Sequence, residues 1–342
     1  MTINNGALVN EKKLVSVVIS SYQSADTLSR AVYSVLNQSY PALEVVVVDN
    51  GSTDNTMELI VELAKRDSRV HPVRLEKNRR PAGGRNAGVE NSSGEYIAFL
   101  DADDEWLPDK LEQQVWALDA QPQAGVVITD GWVIDSQSGV KQLYSDTYQD
   151  YFKRLSPREI QLGRELYWLD VQVRETIYEK CFINTSSILL RKDLFTTTGG
   201  FDIQRFGPED VDLWVRLAKR TRFVYLNRPL VNRFVSANNL SAVSEFWLLE
   251  LLSYHKDCYS SAEYADLMPL IRQNLDKYFR ILIIFYGRKG LFIKAWKMVF
   301  DSLRFGFFPV LPLYAALAPF GVHGYDLGLR ARNALMKMAD RG

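Results

Sequence analysis

Short apolar runs alternate with amphipathic stretches from Leu14 to about Ile134 of the 342-residue chain. The apolar runs are rich in β-branched residues and predict buried strands at Leu14–Ile19, Val45–Val48, Val70–Leu75, Tyr96–Leu100 and Val126–Ile128. Between them, helix-like stretches predict helices at Ala25–Asn37, Thr56–Arg66, Gly83–Asn91 and Lys110–Ala120. Near-continuous apolar strands that alternate with amphipathic helices are typical of a mainly parallel sheet covered on both faces. We therefore expect an α/β fold.

The pattern is less regular between Ser136 and Cys181 and becomes clear again in the strand-like segment Thr185–Leu190. A turn at Gly199–Asp202 and a helix at Glu209–Ala218 follow. From Ser244 onward, long aromatic-rich stretches predict helices. The chain is thus expected to have three parts: a flexible N-terminal tail (residues 1–13), an α/β domain (14–243) and a C-terminal helical region (244–342).

Three polar turns follow predicted strands: Ser20-Ser21-Tyr22, Asp49-Asn50-Gly51 and Asp101-Ala102-Asp103-Asp104. In open α/β sheets ligands bind at the carboxyl ends of the strands, so these turns should converge on one edge. The last turn places three carboxylates close together, where like charges repel. A solvated turn would explain it, since Asp is common in turns. So would a divalent cation that offsets the repulsion.

Composition excludes several other chemistries. Lys plus Arg equals Asp plus Glu at 41 each, so net charge gives no reason to expect nucleic acid as the main partner. Cys181 and Cys258 are too few for a disulfide framework and fit a reducing compartment, and the polar N-terminus predicts no secretory signal. A cytoplasmic location is therefore expected. No Gly-rich phosphate loop follows the first strand, and His71, His255 and His323 show no metal-ligand spacing.

Taken together, four segments resemble the inverting, nucleotide-sugar-dependent glycosyltransferases of family 2, which have the GT-A fold. In order they are "VSVVISSYQSADTLSRAVYSVLNQSY", "VVVVDNGSTDNT", "GGRNAGVENSSGEYIAFLDADDEWLPDKL" and "GGFDIQRFGPEDVDLWVRL". The resemblance covers about the first 240 residues. It implies transfer of a sugar from a nucleotide diphosphate donor to an acceptor hydroxyl, such as that of a lipid-linked oligosaccharide or surface polysaccharide precursor.

The resemblance also implies donor contacts. Ser20 and Tyr22 match positions that contact the nucleotide base, and Arg85 matches a residue near the base and phosphates, although a helix-surface Arg is the alternative. The family's pair of aspartates after the second strand is Asp49-Asn50 here. The second of that pair normally accepts a hydrogen bond from uracil. An amide oxygen can accept it without charge assistance, so uridine is expected and thymidine or another base stays open.

The segment Asp101-Ala102-Asp103 matches the family's metal motif, in which the last aspartate binds Mn²⁺ or Mg²⁺ that bridges the diphosphate. Asp103 is the expected metal ligand, Asp101 is expected on the ribose or in the metal shell, and Asp104 is expected to support the turn or the following helix. Family members often carry a His where this chain has Val235, so the metal would have fewer protein ligands or the loop would differ. Arg233 could still reach the diphosphate.

Glu209-Asp210 matches the general-base position of the family, with Asp210 the expected base. The alternative is a pair of carboxylates that only stabilises a helix start. Two other functions stay open: a non-catalytic nucleotide-sugar-binding assembly subunit, and a sugar-phosphate nucleotidyltransferase. Sugar selectivity is expected around Trp132, the Tyr144–Tyr178 stretch and the segment before Glu209. No "QxxRW" pattern follows the base, which favours addition of one sugar at a time.

The C-terminal region is predicted to dock on the inner face of the cell membrane as a peripheral or monotopic protein. No charged residue lies between Arg304 and Asp326, but three prolines interrupt this apolar stretch and favour a re-entrant or interfacial hairpin over a span. Flanking cations suit an anionic leaflet. Upstream, an apolar helix face is predicted from Tyr278, Ile281, Leu282, Phe285, Phe292, Trp296 and Val299. Packing on the catalytic domain or on a second copy in a homo-oligomer is the alternative.

Overall fold

The computed structural model describes residues 12–155, 157–160, 165–169, 172–235 and 244–307. The chain divides into two compact units, Met1–Asn239 and Leu240–Gly342. The strands, all in the first unit, are β1 (Val15–Ser21), β2 (Leu43–Asp49), β3 (Val70–Arg74), β4 (Tyr96–Phe99), β5 (Glu105–Trp106), β6 (Ala124–Asp135), β7 (Lys141–Leu143), β8 (Arg158–Ile160), β9 (Leu166–Leu169), β10 (Ile188–Arg191) and β11 (Arg222–Val235).

The helices of the first unit are α1 (Leu28–Leu36), α2 (Thr56–Arg66), α3 (Arg80–Glu90), α4 (Lys110–Ala120), α5 (Gln149–Arg154), α6 (Val173–Glu179), α7 (Lys192–Thr198) and α8 (Glu209–Ala218). Those of the second unit are α9 (Glu245–Ser260), α10 (Met268–Arg288) and α11 (Phe292–Leu303). Short 3₁₀ turns occur at Ser145–Tyr148, Thr185–Ser187 and Ala262–Leu267.

One sheet organises the first unit, with the strand order β3-β2-β1-β4-β10-β6-β11-β9-β8. Strands β1 to β4 are parallel to their neighbours in that group, and so is the long β6–β11 pair. The sheet is therefore a mixed, mainly parallel α/β sheet flanked by helices, as predicted. One feature was not predicted: β10 runs antiparallel between β4 and β6 and joins the two halves.

Burial explains why the first strands form. Every residue of β2 is buried, and so is nearly every residue of β1, because helices cover both faces of this part of the sheet. Helix α1 turns the apolar stripe Leu28, Ala31, Val32 and Val35 inward. Full burial of one such side chain contributes about 1.5–3 kcal/mol, so this half of the sheet carries much of the unit's stability.

Helix α3 lacks an apolar stripe and instead approaches the sheet through glycines. A Cβ on Gly88 would lie 2.2 Å from Val18 Cγ1, and one on Gly84 would lie 2.1 Å from Ser20 Oγ. Only hydrogen fits at these two positions, which are one helical turn apart. The close approach brings the first turn of α3 against the ends of β1 and β2.

In the second unit, α10 packs against both α9 and α11. His255 is 3% exposed and stacks on Tyr278 with the ring centroids 5.1 Å apart. Burial lowers the pKa of His255 to about 3, with the charge of Lys277 adding to the effect, so the imidazole is neutral. This histidine is a core residue.

The predicted apolar face of the C-terminal helices includes both buried and exposed side chains. Leu282 and Val299 are buried, whereas Trp296 is 38% exposed. Within the residues that the structure describes, no helix is long and apolar enough to span a bilayer. The predicted hairpin with its three prolines lies outside the described residues.

The glycine contact predicts the effect of a small substitution. Gly88→Ala should lower the free energy of unfolding by about 1–3 kcal/mol, because the new methyl group collides with Val18. Thermal or urea unfolding measures it. Val18→Ala provides the matched partner: in the double variant the collision is gone, so the two losses should be less than additive. Strict additivity would contradict the close packing.

Candidate active site

The three predicted polar turns lie at one edge of the sheet. Ser21 is the register partner of Asp49, and β4, which leads into the third turn, pairs with β1 on its other side. The carboxyl ends of β1, β2 and β4 are therefore neighbours. Two side chains from other elements reach this edge: Arg85 from α3 and Glu209 from α8.

Arg85 bridges two carboxylates. Its Nη2 atom lies 2.9 Å from Asp101 Oδ1 and its Nη1 atom 3.0 Å from Glu209 Oε1, while its guanidinium carbon lies 5.4 Å from the centroid of the Phe201 ring. Burial alone would lower the pKa of Arg85, but Asp101 and Glu209 outweigh it and raise the pKa above its ordinary value. The alternative of a helix-surface Arg is wrong, since only 11% of the side chain is exposed.

The adjacent residues Glu209 and Asp210 have different environments. Glu209 is 5% exposed, and both of its oxygens are occupied: Oε1 by Arg85, and Oε2 by the Gly207 backbone N–H at 2.8 Å. Asp210 is only partly buried, and its Oδ1 accepts from the Val211 N–H at 2.7 Å. Burial raises the pKa of Asp210 to about 7, with Glu209 adding to the rise and Arg85 opposing it. A carboxylate with a near-neutral pKa is suited to exchange protons at physiological pH.

The three aspartates after β4 also differ. Asp104 is 2% exposed; its Oδ2 accepts from Ser186 Oγ at 2.6 Å and its Oδ1 from the Phe234 N–H at 3.3 Å. Ser186 Oγ also accepts from the Asp101 N–H at 3.1 Å, which ties the turn to the residues before β10. Asp103 is exposed. Neighbouring protein atoms still remove part of the water around its carboxyl group, and this partial desolvation, together with the charge of Asp101, raises the pKa of Asp103. Asp104 thus holds the turn in place, as predicted, and leaves Asp103 at the surface.

A buried polar network lies beneath this turn and was missed by sequence reasoning. Trp106 Nε1 donates to Ser186 O at 2.8 Å, and Gln114 Nε2 donates to Ser187 O at the same distance. Lys110 is fully buried; its Nζ donates to Gln114 Oε1 at 2.6 Å and lies 3.8 Å from the Trp106 ring centroid. Burial lowers the pKa of Lys110 well below its usual range. The only signal in the sequence was the position of Lys110 and Gln114 one turn apart on the stripe of α4 that also carries Leu111, Val115 and Leu118.

Asn50, directly after β2, has a structural role. Its Oδ1 accepts from the Arg79 N–H and its Nδ2 donates to Arg80 O, each at 2.9 Å, so it fastens the loop before α3. An aspartate has no donor for the second bond. Asp49 Oδ1 accepts from the Ser52 N–H at 2.9 Å, while its buried Oδ2 has no hydrogen-bond partner within the part of the chain that the structure describes.

Two other predicted donor contacts are accessible. Ser20 is partly buried next to Gly84, and Tyr22 is 48% exposed at the end of β1. The structure thus places all nine predicted site residues on three neighbouring strand ends or on the two helices that reach them: Ser20, Tyr22, Asp49, Asn50, Arg85, Asp101, Asp103, Glu209 and Asp210.

Few protein ligands are available for a cation. Among the described residues, no three His, Cys, Asp or Glu side chains lie close enough to form a metal site by themselves. Arg233, on β11, interacts electrostatically with Asp101 and Asp104 in the turn after β4. Burial alone would lower the pKa of Arg233, but Tyr144, Asp104 and Asp101 outweigh that effect and raise the pKa. Val235 is the last residue of β11. Any cation at Asp101 and Asp103 would need further oxygen ligands from a bound molecule or water.

Comparison with known proteins gives consistent matches. The model of the family described as Glycosyl transferase family 2 matches residues 16–174. TuaG of Bacillus subtilis, named for teichuronic acid biosynthesis, is 31% identical in an alignment of length 274 that covers 75% of this chain and 97% of TuaG. WfgD of Escherichia coli, named a UDP-Glc:alpha-D-GlcNAc-diphosphoundecaprenol beta-1,3-glucosyltransferase, is 41% identical over 102 residues, which are 30% of this chain and 40% of WfgD.

A solved structure has the same fold. S. aureus TarS 1-349 in complex with UDP-GlcNAc superimposes with a TM-score of 0.61, covering 94% of this chain and 92% of that one. The sequence identity is 18%, so this likeness concerns the fold alone.

Replacing Arg85, the cation between the carboxylates, should make the free energy of unfolding depend on pH over a wider range than in the native protein. Arg85→Gln leaves buried carboxylates without their counter-charge, which costs about 3–5 kcal/mol of unfolding free energy near neutral pH. Without the opposing guanidinium, the pKa of Asp210 should rise further above the value of 3.8 expected when unfolded. The folded variant then binds that proton more tightly than the unfolded chain, so its stability falls as the pH rises from about 4 through the folded pKa, and the fall extends to higher pH than in the native protein, where that pKa is about 7.

Urea titrations at several pH values measure this slope. Arg66→Gln is the matched control, because Arg66 also pairs with a glutamate, Glu62, but on an exposed helix face. It should change stability little and leave the pH profile unaltered. An Arg85→Gln profile parallel to that of the native protein would contradict the proposed charge balance.

Proposed function

This chain belongs to glycosyl transferase family 2, and on that premise we propose that it transfers a sugar from a nucleotide diphosphate donor to an acceptor hydroxyl with inversion of the anomeric centre. The observation that carries the proposal is Asp210. Its carboxylate has a near-neutral pKa and lies in the charged cluster of Arg85, Glu209 and Asp101. A subunit that only bound the donor would not need a tuned base.

In the proposed reaction, Asp210 removes the proton of the acceptor hydroxyl as its oxygen attacks the anomeric carbon. The bond from that carbon to the nucleoside diphosphate breaks on the opposite side, which inverts the centre. Glu209 is a less suitable base, because Arg85 and the Gly207 backbone hold both of its oxygens. We assign Glu209 to positioning Arg85.

Donor binding is proposed at the ends of β1 and β2. The unpartnered Oδ2 of Asp49 is an acceptor that a ring N–H of the base could satisfy, since a buried polar atom without a partner is costly. Ser20 and Tyr22 lie beside it. The second lone pair of Asn50 Oδ1 stays available, although its amide also fastens the loop before α3. Uridine is the first choice of base, and the name of WfgD, which includes a UDP-glucose donor, supports it.

The residues present fit a divalent cation, Mn²⁺ or Mg²⁺. Asp103 offers a carboxylate at the surface whose pKa is raised by partial desolvation and by the charge of the neighbouring Asp101, a repulsion that a cation would relieve. We propose that Asp103 holds the ion, with Asp101 in its shell or on the ribose. When bound, the ion would stabilise negative charge on the leaving diphosphate as a Lewis acid. Arg233 adds a positive charge at the same turn.

The proposed acceptor is a lipid-linked or other saccharide precursor of a surface polysaccharide. The names of TuaG and WfgD, one for teichuronic acid biosynthesis and one for an acceptor on diphosphoundecaprenol, support this class. Such an acceptor lies at the inner face of the cell membrane, so we propose a cytoplasmic enzyme that works there. Nucleic acid is not a proposed partner.

Replacing the proposed base, Asp210, should slow the chemical step but leave donor binding nearly unchanged. Asp210→Asn is expected to lower kcat by about two to four orders of magnitude, the usual size of a general-base effect, while donor affinity changes little. The native rate should rise with pH through about 7, as Asp210 ionises, and then level off. Product-release assays over a panel of nucleotide sugars measure both. Asp193→Asn, at an exposed site in α7, is the control and should behave as the native protein does. Lost donor affinity with a normal kcat would refute the assignment.

Loss of the metal ligand should remove metal-dependent donor binding. Asp103→Ala takes away a carboxylate but also relieves repulsion, so the unliganded protein should unfold at about the same temperature. In the native protein, UDP with Mn²⁺ should raise the melting temperature by mass action, and the variant should lose that rise. Calorimetry that gives equal Mn²⁺ and UDP affinity for both proteins would exclude Asp103.

A further inference from the structure

The outward face of α11 is unusual for a helix exposed to water. Its buried face consists of Ala295, Met298, Val299 and Ser302. On the opposite side, Ile293 is 89% exposed, Phe300 is 62% exposed and Trp296 is 38% exposed. The Trp296 and Phe300 rings lie 5.8 Å apart. A water-facing helix side is normally polar, so this apolar ridge requires a partner.

Cations accompany the ridge on the same side of the helix. Lys297 lies between Trp296 and Phe300 in the sequence, and Arg304 follows one turn beyond Phe300 with 81% of its side chain exposed. Arg288 and Lys289, just before α11, are exposed as well. The surface therefore combines large apolar side chains with several positive charges.

The acidic groups nearest to this surface are already paired. Asp301 contacts Lys256 and lies 3.7 Å from Arg304, while Glu245 pairs with Lys294 at 2.8 Å. The remaining cations, Lys297, Arg288 and Lys289, have no ion pair within the residues that the structure describes. The net character of the face is thus apolar and basic.

We infer that this face of α11 binds the surface of an anionic lipid bilayer. An amphipathic helix with aromatic side chains on one side and basic residues beside them lies flat in the interface, and Lys and Arg reach the phosphate groups. Trp is favoured at that depth because its ring is amphipathic. The helix is too short to span a bilayer, at twelve residues, but long enough to lie in its plane.

Charge disfavours two other occupants. In a symmetric contact between two copies, the same patch meets itself, so Lys297 and Arg304 of each copy would face cations. The segment 308–342 is uncharged before Asp326, and beyond it carries Arg330, Arg332, Lys337 and Arg341 against Asp326 and Asp340. An anionic bilayer supplies the counter-charge that the face lacks, whereas another copy or the basic end of this segment repeats its sign and the uncharged part supplies none.

The inference adds a partner, the membrane surface, to the proposed function. It can be wrong while the proposed function is right, because binding to vesicles does not require sugar transfer. The test uses the full chain and sedimentation with vesicles of phosphatidylglycerol and phosphatidylcholine in equal parts, compared with vesicles of phosphatidylcholine alone. The native protein should bind the anionic vesicles and bind less at high salt. The triple variant Ile293→Ser, Trp296→Ser, Phe300→Ser should bind at least about tenfold more weakly.

The control variant is Val61→Ser with Val140→Ser, which removes two exposed apolar side chains from the first unit and should bind as the native protein does. Lys297→Gln with Arg304→Gln should lose most of the preference for anionic lipid. The melting temperature should fall only modestly in the triple variant, because Ile293 and Phe300 are mostly exposed and only Trp296 is more buried than exposed. The same variant should keep metal-dependent UDP binding, which separates this test from that of the catalytic assignment.

Three results would overturn the inference. The first is that the native protein remains in the supernatant with anionic vesicles. The second is that the triple variant binds those vesicles as tightly as the native protein does. Alternatively, light scattering would show a native dimer that the triple variant converts to monomer, which would make the face a contact between copies.

Discussion

The bridge from Arg85 to Asp101 and Glu209 is the interaction on which the candidate active site depends. It joins α3 and the turn after β4, which are close in the sequence, to the start of α8, which lies 124 residues beyond Arg85. The guanidinium neutralises carboxylates that would otherwise repel, and it keeps the pKa of Asp210 from rising further. The turn that carries Asp101 and the helix start that carries Glu209 and Asp210 therefore share one cation, so a change of charge at either one affects the electrostatics of the other.

Much of this arrangement could be predicted because it is local. Apolar runs that end in polar turns predicted β1, β2 and β4 and the edge at which they meet. The metal motif and the base were predicted by resemblance, and their roles stay predictions. The partners of Arg85 could not be predicted, since Glu209 is 124 residues away in the sequence and no periodic pattern encodes a contact at that distance. The direction of β10 was missed for the same reason.

The burial of some polar residues also could not be predicted from the sequence pattern. Lys110 lies on the apolar stripe of α4, where a long cation usually reaches outward along its own methylene chain; here Gln114 and Trp106 hold it inside. In the C-terminal helices, the pattern identified apolar positions but not which of them would find partners. Leu282 and Val299 did, whereas Trp296, together with Ile293 and Phe300, did not.

The antiparallel strand β10 has a consequence for how the protein forms during synthesis. Strands β1 to β4 pair with one another and can assemble as soon as they leave the ribosome. Among the described strands, however, β10 is the one that pairs with both halves of the sheet, and it follows Ser186, which accepts from the Asp101 N–H. Glu209 and Asp210 emerge later still. A nascent chain thus completes the edge formed by β1, β2 and β4 first and adds Glu209 and Asp210 last, so the charges around Arg85 come together only when most of the first unit has been made.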